Sequence, residues 1–169
     1  MGYAYALSGR LAEALPLLEQ AVKQSTAMKN MSIYPLFVAH LGEAYLLAGR
    51  IADADQQARH ALERSRDFKE RGHEAYALRL LGEIAAQRQP PDAEAAVAAY
   101  RQAVTLADEL GMRPLAAHCH LGLGTLYART GRREQARGEL SAAMALYRAM
   151  GMTFWLSRAE AALTPAGGC

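Results

Sequence analysis

Apolar residues along this chain recur on one face of a helix, and the same arrangement returns about every forty residues. Val38, Leu41, Gly42 and Tyr45 fall at i, i+3, i+4 and i+7, the spacing of a single helical face. Gly49 follows, and glycine closes a helix in the left-handed conformation without strain. A second face then runs through Ala54, Ala58, Ala61 and Leu62, and Gly72 is predicted to end it. The pair returns as Leu78, Leu81, Gly82 and Ala85 ahead of Ala96, Tyr100 and Ala103. It returns again as Leu123, Gly124, Tyr127 and Gly131 ahead of Ala136, Leu140 and Ala143. Each copy therefore predicts two antiparallel helices.

The copies stay in phase. Ala14, Ala54, Ala96 and Ala136 recur at spacings of 40, 42 and 40, and so do Ala21, Ala61, Ala103 and Ala143. The two extra residues belong to a longer turn, Gln89-Pro90-Pro91-Asp92, in which Asp92 is a candidate cap for the next helix. Pro35 and Pro114 suit first helical turns, where a missing N–H costs nothing, and Asn30 or Ser32 is the candidate cap ahead of Pro35. Gly111-Met112 and Gly151-Met152 mark equivalent helix ends. Thr153 to Leu163 reads as an amphipathic capping helix carrying Phe154, Trp155, Ala159 and Ala162. The predicted organisation is a partial repeat at 1–30, full repeats at 31–72, 73–112 and 113–151, a capping helix at 152–163 and a flexible tail at 164–169. A fixed period of this length is the mark of a solenoid.

Small residues at fixed places explain how such pairs stack. Glycine at the eighth position of the first helix, and alanine twice in the second, let backbones approach to about 8–10 Å. Composition agrees: 36 Ala and 23 Leu stand against 4 Val and 3 Ile, a balance that favours helix over strand. The formal net charge of +2 gives no large field of either sign, which argues against nucleic acid or an anionic membrane as partner. No apolar run reaches the ~20 residues that span a bilayer. Cys119 and Cys169 make no disulfide framework, so a reducing cytoplasmic setting is expected.

Leu41-Gly42-x2-Tyr45, Leu123-Gly124-x2-Tyr127 and Ala96-x3-Tyr100 with Ala103 resemble the tetratricopeptide repeat, and the resemblance covers nearly the whole chain. It implies an all-α, right-handed superhelical solenoid of α-α hairpins. The tryptophan position of that signature holds Val38, Leu78 and His120, and the late proline is Arg66, Asp108 and Arg148. A forty-residue period adds six residues per unit, which lengthens each helix by about 4.5 Å and deepens the groove. The wording Leu41-Gly-Glu-Ala-Tyr and Leu80-Leu-Gly-Glu-Ile is similar to the C-terminal region of bacterial ATPase-containing class III adenylate and guanylate cyclases and related ATP-dependent regulators. The first copy opens at its Leu-Gly position, so the chain is expected to be the C-terminal piece of a longer signalling protein.

No catalytic residues, cofactor or metal are expected. His118, Cys119 and His120 form one cluster of metal-ligand types, yet neighbours at i and i+2 point about 200° apart on a helix, and structural packing is the expected role. Gly122-x-Gly124 lies within a helix and lacks the following Lys-Ser/Thr of a phosphate loop. The resemblance implies instead a peptide groove, lined by the first helix of each pair. Carried over position by position, the candidates are Tyr3; Leu36, Ala39, Glu43, Leu46 and Leu47; Tyr76, Arg79, Glu83 and Gln87; and His118, Leu121, Thr125 and Arg129. A family clamp for terminal carboxylates is not expected, because Glu43 and Glu83 stand where it needs asparagine and would repel the tail. The expected function is a non-catalytic protein-interaction scaffold whose groove takes a protein, a peptide or another domain of the parent chain. Two alternatives are a small-ligand sensor with an apolar pocket near Leu46, Tyr76 and Leu121, and a homodimer through the open first repeat.

Overall fold

Periodic apolar faces stopped by left-handed residues become helices of nearly equal length. The computed structural model describes residues 1–27 and 34–163. Among them run α1 (Gly2–Leu7), α2 (Leu11–Ala27), α3 (Tyr34–Leu47), α4 (Ile51–Asp67), α5 (Arg71–Gln87), α6 (Ala93–Glu109), α7 (Arg113–Arg129), α8 (Arg133–Ala149) and α9 (Thr153–Leu163). Six of them have 17 residues, about 25 Å at 1.5 Å per residue. Among the described residues there is no strand, and no helix is long and apolar enough to cross a membrane. The predicted caps Asn30 and Ser32 and the tail 164–169 lie outside the described residues.

The helix ends follow one plan. At the end of α3, Gly49 has φ +75°, its N–H donates to the Leu46 carbonyl at 3.0 Å, and the Arg50 N–H donates to the Tyr45 carbonyl at 2.9 Å. This crossed pair satisfies carbonyls that a helix end would otherwise strand. α4 departs from the expectation. Lys69, not Gly72, holds the left-handed place at φ +56°, and the Lys69 and Glu70 N–H groups make the same crossed bonds to Arg66 and Ser65. Gly72 instead lies in the first turn of α5. Lys69 sits in phase with Gly111 and Gly151, so the phase of the repeat set the turn and the residue type did not. Asp92 caps α6 as predicted, its Oδ1 accepting from the Ala95 N–H at 3.1 Å.

Helices pack in two unequal layers. The odd-numbered helices touch one another in series, α1 to α3, α5, α7 and α9, as well as their even-numbered neighbours. Even-numbered helices make no such backbone approach to each other. Where they meet, long side chains bridge the gap, as when Arg101 of α6 donates to Glu139 of α8 at 2.6 Å. A stack that is tight on one side and open on the other bends toward the tight side. The odd-numbered helices therefore form the inner, concave face.

Glycine lets large side chains of the outer helices seat on the inner ones. The buried ring of Tyr100 on α6 lies against Gly82 of α5 and Gly122 of α7; an added Cβ would stand 2.9 Å and 2.5 Å from its atoms. Leu140 of α8 covers Gly124 in the same way, 2.6 Å from where a Cβ would be. Tyr100, Leu140 and the alanines Ala96, Ala103, Ala136 and Ala143 are buried. α9 continues the inner row: Ala159 and Trp155 turn toward α7 and α8, while Phe154 faces out.

Two substitutions should move stability in opposite directions. Gly124→Ala, which sets a methyl against both the side chain and the backbone N of Leu140, should cost about 1–3 kcal/mol by overpacking. Lys69→Gly should gain about 1 kcal/mol by relieving a left-handed lysine. Urea unfolding of both variants checks the pair, and a stabilised Gly124→Ala would contradict the packing described.

Candidate interaction groove

The concave face carries charge at its centre. Arg79 of α5 is buried, and its guanidinium is shared between two carboxylates. It donates from Nη2 to Glu43 of α3 at 3.2 Å and from Nη1 to Glu83, one turn along its own helix. The other oxygen of Glu43 accepts from the Tyr3 hydroxyl of α1 at 2.9 Å. Three successive inner helices are thus tied by one polar chain. Burial opposes the charge on Arg79, and the two carboxylates more than offset it, so the guanidinium is held above its ordinary range. Burial pushes the Glu83 carboxyl up, with Arg79 pulling it back.

Aromatic rings flank this centre on both sides. His40 stacks on Tyr3 with centroids 3.9 Å apart. At the other end, His118 Nδ1 shares a 2.7 Å hydrogen bond with the Tyr147 hydroxyl, and its ring meets Trp155 edge-on at 4.5 Å. Burial lowers the His40 pKa, with Glu43 opposing and Arg79 assisting. Burial and then Arg79 push His118 down to about 4.

The fourteen candidate residues divide by depth. Tyr3, Leu36, Ala39, Glu43, Tyr76 and Arg79 surround one small depression of about 10 Å³, the room of a single water. Leu47 and Tyr76 are 52% and 38% exposed, and Gln87, Thr125 and Arg129 are also exposed. Thr125 Oγ1 bonds back to the Leu121 carbonyl at 2.8 Å, and Arg129 Nη1 donates to the Ala86 carbonyl at 3.2 Å. His118 and Leu121 are half-buried beneath α9, beside Tyr147. Two candidates offer a guest almost no surface, although Ala39 lines the depression. Ala39 and Leu46 are almost wholly buried, Leu46 inside a core shared with Ala6, Leu41 and Ile84. α3 is mostly apolar and is covered by α1, α2, α4 and α5, so only a narrow stripe with His40 and Glu43 stays open.

His118, Cys119 and His120 part ways. His118 enters the groove, Cys119 is core with its thiol pushed up to about 12 by burial, and His120 Nδ1 lies 2.7 Å from Glu139 of α8. The carried-over pattern missed His40 and Trp155, and also the buried Tyr147 of α8 that holds His118 from behind. A signal for Tyr147 was present in the sequence. Ser25, Ser65, Ala107 and Tyr147 occupy one repeat position and all are buried, so the jump in size at the fourth copy marks a side chain that must reach elsewhere.

The depressed His118 pKa makes a prediction for stability in acid. Below pH 6.5 the histidine of the unfolded chain takes up a proton that the folded chain refuses until about pH 4. Its contribution is therefore present above pH 6.5 and is lost as the pH falls through that window. His118→Gln should make the loss of stability between pH 6.5 and 4 shallower than in the parent. Urea midpoints at pH 7, 5.5 and 4 measure this, and an unchanged slope would refute it.

No protein-family model matches the sequence, and no curated protein matches it. Among solved structures, aspartyl phosphate phosphatase F from Bacillus subtilis is similar in fold, with a TM-score of 0.80 at 16% identity. The match covers 95% of this chain and 42% of the phosphatase. It shows the fold: an all-α helical solenoid of the tetratricopeptide kind.

Proposed function

We infer that the chain is a non-catalytic interaction module whose concave groove binds a segment of a partner protein or of another domain of a longer parent. One observation supports this reading: apolar side chains stand exposed on the inner helices beside a fixed centre of charge. Leu47 and Tyr76 expose apolar surface on the inner helices, around a centre of ordered charge that fixes their surroundings. Apolar anchors beside preorganised polar groups are what a protein partner uses. Identity of 16% over 42% of the phosphatase carries its fold here and not its activity. A cyclase or ATPase parent rests on the wording of the repeats alone, and the gene's full reading frame tests it. Cytoplasmic placement rests on the buried, reduced Cys119.

The small-ligand reading fares less well. An apolar pocket near Leu46, Tyr76 and Leu121 would favour it, but Leu46 is in the core and the depression beside Tyr76 holds about 10 Å³. Pockets for organic ligands run to about 300–1,000 Å³. Self-association keeps a specific support, because Met1, Leu7 and Leu17 are all exposed on the first helix pair. Sedimentation of Leu17→Glu against the parent separates that reading from a monomer.

Screening the chain against an array of random decapeptides should yield binders. The double variant Leu47→Ser, Tyr76→Ala should weaken them at least about tenfold while leaving the melting temperature in place, since both side chains are largely exposed. Calorimetric titration reads the affinity, and undiminished binding by the double variant would remove the groove from the account.

A further inference from the structure

The charged floor of the groove is incomplete as it stands. Two carboxylates, Glu43 and Glu83, share one guanidinium. Both oxygens of Glu43 are engaged, by Arg79 and by Tyr3. Glu83 accepts from Arg79 through one oxygen; its other oxygen has no donor among the described residues, and the side chain is 27% exposed, within reach from the groove. Arg79 is nine-tenths buried, yet its Nε has no acceptor. The floor is short of one positive charge.

Other groups near it do not supply the missing charge. His40 and His118 are held neutral by burial, and buried His73 Nδ1 has no partner. Arg129 lies about a turn beyond Glu83, where it donates to the Ala86 carbonyl, and it is exposed, so water and salt screen its effect on an incoming cation. The upward push on the Glu83 carboxyl is what burial does to an anion whose partner is shared. A bare metal ion suits the site poorly, because the Arg79 guanidinium stands between the two carboxylates.

Tyr76 adds a second point of attachment. It stands seven residues before Glu83 on the same face of α5, about 10 Å along the helix. Three residues of extended chain cover about the same distance.

Building on the groove-binding reading, we propose that the guest is an extended peptide segment in which a lysine or arginine completes Glu83 and an apolar residue three positions away packs on Tyr76. The ammonium or guanidinium donates to the free Glu83 oxygen, a charge-assisted bond in a partly dry site. An acidic guest meets two carboxylates and is repelled.

The test uses the 169-residue chain and decapeptides selected from the array, with each basic residue replaced in turn by norleucine, glutamine or glutamate. Replacing one particular Lys or Arg by norleucine should lower affinity about tenfold, or about 1.4 kcal/mol. Glu83→Gln should erase that difference while leaving the norleucine peptide unaffected. Tyr76→Ala, at an exposed site, should abolish the preference for an apolar residue three positions from the basic one and keep the basic preference. This second variant decides the matter should Glu83→Gln disturb folding. Peptides that bind with no basic preference, or a preference that persists in Glu83→Gln, would overturn this inference and leave the groove reading standing. An array with no binders would overturn both.

Discussion

Close approach of helix backbones is the constraint on which everything else here depends. The ring of Tyr100 occupies the space that a β-carbon on Gly82 or Gly122 would need, and Leu140 occupies the space above Gly124. Large side chains from the outer helices thereby lock onto bare backbone of the inner ones. The inner row is closed up while the outer row stays apart, bridged by long ion pairs such as Arg101 to Glu139. Curvature follows from that inequality, and the groove is a consequence of curvature.

Once the inner helices are this close, their remaining inward positions lie in a poorly hydrated strip. Charges placed there cannot rely on water, and Arg79, Glu43, Glu83 and Tyr3 satisfy one another instead. Such a network adds little net stability, since desolvation offsets much of the Coulomb gain. Its effect is to fix orientation: it ties α1, α3 and α5 at one register and presents a defined pattern of charge between exposed Tyr76 and Leu47. The aromatic groups at the far end act similarly, with His118 held neutral between Tyr147 and Trp155.

Much of this was legible from the residues. In-phase alanines and glycines reveal helix pairs, their order and their turns, because each turn and each contact is local or repeats at one spacing. Gly72 does not end α4 because phase outweighs residue type there: Lys69 stands in register with Gly111 and Gly151. The inward positions of Arg79, Glu43 and Glu83 were recoverable by analogy with other repeats. The i,i+4 spacing of Arg79 and Glu83 was legible too; the bond from Arg79 to Glu43 was not, since it depends on how α3 and α5 come to rest.

By itself, then, the sequence determined the all-helical character, the stacking of pairs and the row of residues turned inward, because spacing along a helix fixes direction. Only the tertiary structure decided which inward residues remain open. Leu46 and Leu47 are neighbours, yet one is core and the other is exposed, because burial depends on how near α1, α4 and α5 come to α3. It also decided that the Arg79 guanidinium reaches Glu43 as well as its helix neighbour Glu83, for that second pairing is set by distance between repeats and not by order along the chain.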